Sequence, residues 1–144
     1  MTRAGVLNTI DSLLGSVSTP TFAAVFRGEP LMIPTSPVAA FWLTQHEEDF
    51  TTLGDASTTA EFTIQCYWRM TSAQDVRESL ELEIWDAISG VKSALRGDAA
   101  LSGNCTDSRP GFATTGYIDL SGVTFKVASI PFFVEIYGSE TITP

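Results

Sequence analysis

The residues with the greatest capacity for chemistry stand together at positions 46–49. His46, the sole histidine, is followed by Glu47, Glu48 and Asp49, and imidazole with carboxylates could bind a metal ion or exchange a proton. A metal site needs ligands that converge from separate elements, whereas neighbouring residues on an extended chain point in alternate directions. The pattern therefore favours an exposed acidic segment, with weak cation association as the alternative, and it predicts no metal site.

Hydroxyl, thiol and carboxylate groups elsewhere lack the neighbours that catalysis requires. His46 is the one possible imidazole base for a serine or cysteine nucleophile, and no Gly-x-Ser-x-Gly or Cys–His signature accompanies it. No glycine-rich phosphate motif follows a predicted strand. Asp75, Glu78 and Glu81 form a charge run typical of an exposed helix face, and nothing in the pattern suggests the burial that catalytic carboxylates need. We predict no catalytic and no cofactor-binding residues, and an interaction protein instead of an enzyme.

An Arg-Gly-Asp tripeptide at residues 96–98 raises another possibility, because integrin ligands display this motif. It follows a helical pattern, and Gly97 stands where a left-handed residue just beyond a helix favours glycine. Asp98 can then cap the next short turn, and Leu101 can enter the core. We expect a helix boundary here and not an adhesion site.

Composition restricts the class of protein further. A chain of 144 residues with 44% hydrophobic residues predicts one globular domain over residues 1–144. The net charge of −9 disfavours general binding of nucleic acid, and no apolar run reaches the length of a bilayer span. The amino-terminal segment resembles a helix more than an export signal, so we expect a soluble protein that is not exported. Cys66 and Cys105 match no zinc spacing and predict two free thiols.

Apolar spacing predicts two helices separated by strands. The amino-terminal helix has Val6, Ile10 and Leu14 on one face, and the second helix runs from about Ser72 to Leu95. The predicted strands cover residues 22–30, 38–45, 60–70, 111–120 and 123–138. The polar stretch at about 46–59 is expected to be a long acidic loop. We therefore predict an α+β fold in the order α-β-β-β-α-β-β, a mainly antiparallel sheet with a long helix and the amino-terminal helix packed on one face.

Several local patterns refine this prediction. The strand at 60–70 alternates between one buried face and one that meets water or a partner. Leu82 and Trp85 lie off the main stripe of the second helix, which indicates either a contact with another subunit or curvature of the core. Ser121 and Gly122 predict a tight hairpin turn, and Pro131 predicts a bulge or a sheet edge.

The long helix, the junction "VKSALRGDAALSG" and the closing hairpin resemble the tail terminator (tail completion) proteins of long-tailed bacteriophages. Phage neck proteins of this class show a junction of the type A-L-x-x-D-x-x-L-x-G, which the chain matches at Ala94, Leu95, Asp98, Leu101 and Gly103. The resemblance covers nearly the whole chain, although "NCTDSRPGF" replaces the usual residues after the junction.

The resemblance implies a structural virion protein that acts as a homohexameric ring. The ring would cap the head-proximal end of the tail tube, end tube polymerisation and join the tail to the head–tail connector. The partners would be further copies of the chain, the tube protein and the connector, with no membrane. DNA would pass through an acidic lumen without specific binding, which the net charge of −9 suits. The protein is then expected in the virion, and in the host cytoplasm during assembly.

Two groups of residues are candidates for contacts in such a ring. The acidic residues expected to face the lumen or the tube are Glu47, Glu48, Asp49 and Asp55. The intersubunit candidates are Tyr67, Arg69, Trp85, Arg96 and Arg109. The alternatives are another phage neck or tail component, such as a head-closure or tube protein, or a small α+β enzyme or ligand-binding domain with a deep pocket.

Overall fold

The computed structural model describes residues 3–52, 55–70 and 77–138, which form an α+β fold with a mixed six-stranded sheet and two helices. The helices are α1 (Arg3–Gly15) and α2 (Arg77–Arg96). The strands are β1 (Ala24–Arg27), β2 (Val38–Thr52), β3 (Asp55–Arg69), β4 (Asp107–Pro110), β5 (Thr114–Leu120) and β6 (Val123–Gly138). The predicted order of elements is broadly consistent with this structure, which adds the short strand β4.

The strands lie in the order β1-β2-β3-β6, and both β4 and β5 pair with the far edge of β6. β1 runs parallel to β2, and the other pairings are antiparallel. β4 pairs with residues 132–135 and β5 with residues 123–129. The outer edge of β6 is therefore covered by two short strands with an interruption at residues 111–113.

Residues 46–52 and 55–59 lie in paired strands, which corrects the prediction of a long acidic loop at about 46–59. His46 pairs with Ala60 and Glu48 with Thr58, and Thr58 also pairs with Ile136. Hydrogen bonds between the paired strands satisfy the backbone N–H and C=O groups of these polar residues. The strands can therefore form without alternating apolar and polar side chains. We call residues 46–52 of β2 and residues 55–60 of β3 the long hairpin.

Both helices pack on one face of the sheet and form the main core. The buried side chains of the helices are Val6, Ile10 and Leu14 of α1 with Ile84, Ala87, Val91 and Leu95 of α2. They meet Phe62, Ile64, Cys66 and Trp68, so the predicted buried face of the strand at 60–70 is confirmed. Burial of such apolar surface is the dominant favourable contribution to folding.

The opposite face of the sheet is also covered at one end. A second cluster includes Val38, Tyr67 and Phe125, and the connector between β1 and β2 adds Ile33. The Tyr67 and Phe125 rings meet edge to face with centroids 6.3 Å apart. Tyr67 therefore belongs to the core.

The closing hairpin confirms the predicted turn at Ser121 and Gly122. Their φ angles are 51° and 80°, the two positive values that a type I′ turn needs between twisted strands. Further along β6, the Pro131 carbonyl accepts a hydrogen bond of 2.7 Å from the Gly111 N–H. The backbone of Pro131 thus faces the interruption between β4 and β5, where its missing N–H costs no ladder bond.

The Arg-Gly-Asp segment is a helix boundary, although its geometry differs from the prediction for Gly97. α2 ends at Arg96, and the Gly97 N–H still donates to the Ser93 carbonyl at 3.0 Å. The left-handed residues lie downstream at 101–103. The Asp98 carboxylate accepts the Ser102 N–H at 3.0 and 3.1 Å, so the predicted capping role of Asp98 is confirmed.

Cys66 and Cys105 are buried free thiols, as predicted. Burial raises the pKa of the Cys66 thiol from its ordinary value of 9.0 to about 12. Burial, followed by the nearby Glu29 carboxylate, also raises the pKa of Tyr67. Both groups therefore keep their protons in the folded state when the unfolded chain has begun to release them.

We expect the free energy of unfolding to fall as the pH rises above about 9. In that range the unfolded chain binds fewer protons than the folded one, and Cys66 alone contributes a slope approaching about 1.4 kcal/mol per pH unit. Urea unfolding of the wild type and of Cys66→Ala between pH 7 and pH 11 measures this. The variant should show a shallower decline above pH 9, and identical slopes would contradict the assignment to Cys66.

Candidate interaction surfaces

An exposed apolar ridge lies on the outer side of α2. Leu82 is 56% exposed and Trp85 is 72% exposed, and their spacing of three residues places them side by side on the helix. Ile88 and Thr115 of β5 line a shallow depression beside them. This exposure excludes the alternative of core curvature for Leu82 and Trp85. We call these two residues the α2 ridge.

Lys126 fixes the base of the ridge to the sheet. Its side chain is 11% exposed, and its ammonium group lies 3.2 Å from a Glu81 carboxylate oxygen. The same group lies 3.3 Å from the Tyr117 hydroxyl and 4.5 Å from the centre of that ring. Burial lowers the pKa of Lys126, but the hydrogen bonds with Tyr117 and Glu81 outweigh it and leave the pKa raised. The charged contact therefore ties α2 to β5 and β6 beneath Leu82 and Trp85.

An apolar groove of about 470 Å³ opens between α1 and the long hairpin. Its lining comes from four elements: Arg3, Val6 and Leu7 of α1, Leu43 and His46 of β2, Thr58, Ala60 and Phe62 of β3, and Val134 and Ile136 of β6. Apart from Thr58, its polar lining residues are Arg3 and His46. We call it the α1 groove.

The sheet face opposite the α1 groove is acidic. Four carboxylate residues share this face: Glu47, Glu61, Asp107 and Glu135. Along each strand they alternate with the residues on the groove side, so their side chains lie on the opposite side of the sheet. Arg109 lies among them, 3.1 Å from Glu135 and with its guanidinium 5.3 Å from the centre of the Phe133 ring. We call Glu47, Glu61, Asp107 and Glu135 the acidic face.

The predicted lumen residues do not share one surface. Glu47 belongs to the acidic face, whereas Glu48 occupies the register of His46 on the groove side of the sheet. Asp49 and Asp55 lie within β2 and β3, but their side chains lie outside the described part of the chain. The alternation of a strand thus separates acids that the expected loop would have presented together.

The predicted intersubunit residues differ in what they can contact. Trp85 is on the α2 ridge, and Arg69 and Arg96 are exposed. Tyr67 is 1% exposed and cannot offer a surface to a neighbour, which corrects its place among these candidates. Arg109 already has an ion-pair partner within the chain, Glu135.

Sequence reasoning missed the α1 groove and several exposed apolar side chains. Leu43 is 53% exposed, and the chain also exposes Leu31, Met32 and Phe112. The available signal for Leu43 was its place two residues after the buried Phe41 in a predicted strand, which puts it on the helix side. Nothing local in the sequence shows that α1 leaves this position uncovered.

No group of three His, Cys, Asp or Glu residues within 3–52, 55–70 and 77–138 could hold a metal ion. His46 lines the α1 groove, while Glu47 faces the other side of the sheet. No described helix is long and apolar enough to cross a membrane.

No known protein family matches the sequence of the chain, and no curated protein is significantly similar to it.

Proposed function

We propose that the chain is a structural protein of a bacteriophage tail, a terminator that forms a ring on the head-proximal end of the tail tube. The ring ends tube polymerisation and offers its other side to the head–tail connector. The observation that carries the proposal is the α2 ridge. An exposed tryptophan beside an exposed leucine, held on a rigid base by Lys126, is typical of an anchor for a protein–protein contact.

The charge distribution supports a passage for DNA. The net charge is −9, and the acidic face gathers carboxylates of β2, β3, β4 and β6 on one side of the sheet. A lumen lined by such a face repels phosphate groups and lets DNA pass without adhering. We therefore assign the acidic face, with Glu47 and Glu61, to the lumen.

The second candidate in the same class is another neck or tail component, such as a head-closure or tube protein. It would use the same α2 ridge for assembly, and it would differ in the neighbour that it binds. A protein with a tube role would polymerise without limit, whereas a terminator stops after one ring.

The α1 groove is the one observation that favours a ligand-binding domain. Its volume of about 470 Å³ is within the range of small-molecule sites. Such sites combine an apolar lining with convergent polar groups, and here Arg3, His46 and Thr58 are the polar lining residues. The ridge has no role in a ligand-binding domain, so we place this alternative after both phage assignments.

The test uses the purified protein and a phage tail-tube protein that polymerises in solution. Light scattering measures the mass of the chain alone and with tubes, and electron microscopy measures tube length. We expect a ring, formed in solution or at tube ends, and an end to tube growth at amounts sufficient to cap the ends only. A protein that stays monomeric or dimeric and leaves tube growth unchanged would contradict the proposal.

A further inference from the structure

We propose that the α2 ridge of one copy docks into the α1 groove of the next copy, so that the chain associates with itself head to tail. In this contact each surface binds a different neighbouring copy. The closure of such contacts into a ring rests on the proposed function. Its two halves are exposed in the single chain. Both lie on the side of the sheet that the helices cover, the ridge beside Thr115 and the groove beside Val134 and Ile136.

The shapes and polarities of the two surfaces are complementary. Trp85 and Leu82 project from α2 with most of their surface exposed, and the groove offers about 470 Å³ enclosed largely by apolar side chains. Sites of this volume hold molecules larger than an indole and an isobutyl group together. Aromatic anchors that fill such pockets supply most of the binding free energy at protein interfaces.

The charges around the two surfaces are also complementary. Acidic Glu83 and Asp86 flank the ridge on α2, while the guanidinium-bearing Arg3 lines the groove. Arg3 forms no ion pair with any residue of the described ranges 3–52, 55–70 and 77–138. Two copies that each carry a net charge of −9 repel at most orientations. Contact of the acidic flank with Arg3 of the groove is an orientation in which local attraction offsets that repulsion.

The positions of the two surfaces are compatible with a head-to-tail contact. The ridge lies on α2 beside β5, whereas the groove lies between α1 and the long hairpin. A twofold contact of ridge on ridge would bring Glu83 and Asp86 against their own copies. A heterologous contact instead leaves one free ridge and one free groove after each addition, which is the geometry of rings and filaments.

Complementation between two variants tests this contact. Trp85→Glu removes the ridge and leaves the groove, and Leu43→Glu places a charge in the groove and leaves the ridge. Leu43 is 53% exposed, so both variants should fold, which circular dichroism and thermal unfolding check. Met32→Glu is the matched control, because Met32 is 67% exposed on the connector that covers the other face of the sheet.

We expect each single variant to weaken self-association by about 100-fold, as loss of an interface anchor does, with the control unchanged. An equimolar mixture of the two variants should form a dimer that grows no further, because one intact ridge meets one intact groove. Light scattering and analytical ultracentrifugation measure both results.

Three outcomes overturn the contact, and they separate its failure from that of the proposed function. If both folded variants assemble like the wild type, the ridge and the groove are not the interface, although a ring on tube ends remains possible through another surface. If each variant is defective and the mixture stays monomeric, the contact is not ridge to groove. If the wild type is monomeric at every concentration, with and without tubes, both proposals fail.

Discussion

Replacement of Leu101 by alanine should lower the free energy of unfolding by about 2–5 kcal/mol. Leu101 is fully buried in the main core, where loss of a leucine side chain removes apolar contacts and leaves a cavity. Its carbonyl accepts a hydrogen bond of 2.9 Å from the Asn104 side-chain amide. The buried side chain and this backbone contact together anchor the junction that follows α2. Urea unfolding followed by tryptophan fluorescence measures the change.

The backbone at Leu101 provides a sharper comparison. Its φ angle is 48°, a left-handed conformation that costs a non-glycine residue roughly 1 kcal/mol. Leu101→Gly creates the same cavity or a slightly larger one, but it removes that backbone cost. We therefore expect the glycine variant to be no less stable than the alanine variant, against the usual order in a regular strand or helix. An alanine variant within 1 kcal/mol of the wild type would show that the side chain contributes little.

Leu101 also shows which part of the fold the sequence predicts. Its burial and the capping role of Asp98 follow from a local pattern, an acid three residues before a leucine beyond a helix. Other confirmed predictions are equally local. The period of side chains along one element determines the buried faces of the helices and of the strand at 60–70, and the φ values of two residues determine the turn at Ser121 and Gly122. The predicted left-handed position at Gly97 is wrong, because the Gly97 N–H continues the helical hydrogen bonding to the Ser93 carbonyl.

Strands that depend on their neighbours could not be predicted. The long hairpin is predominantly polar, and β4 consists of Asp107, Ser108, Arg109 and Pro110. Neither segment has the alternation that marks a strand, and both are fixed by pairing with β3 or β6. Their state depends on contacts across the sheet, which a reading of consecutive residues does not contain.

The same distinction applies to the candidate surfaces. Trp85 could be identified from the sequence because it departs from the apolar stripe of its own helix. The α1 groove could not, because Leu7, Leu43 and Ile136 come together from three elements. The burial of Tyr67 has a related cause. The second cluster covers the sheet face that the strand pattern predicts to meet water or a partner.

Gly111→Val should destabilise the fold by about 1–3 kcal/mol, the typical effect of overpacking. A Cβ atom at Gly111 would lie 2.8 Å from Cγ of Pro131 and 3.0 Å from Cε2 of Phe133. The Phe133 ring can turn aside, but the proline ring is rigid and its strand pairs with β3 through Thr63. Relief then requires β4 and β5 to move away from β6, which weakens the hydrogen bond from Gly111 to the Pro131 carbonyl.

Gly116→Val on the same sheet edge is the matched control. A Cβ atom at Gly116 meets nothing within 4 Å, and Gly116 pairs with Val127 in the regular part of β5. A β-branched residue in such a strand is favourable by up to about 1 kcal/mol. The two valines should therefore differ in their effect on the thermal midpoint: Gly111→Val lowers it, and Gly116→Val raises it or leaves it unchanged. Equal shifts for both would show that the edge tolerates side chains uniformly, and that Gly111 is not held by its close contact with Pro131.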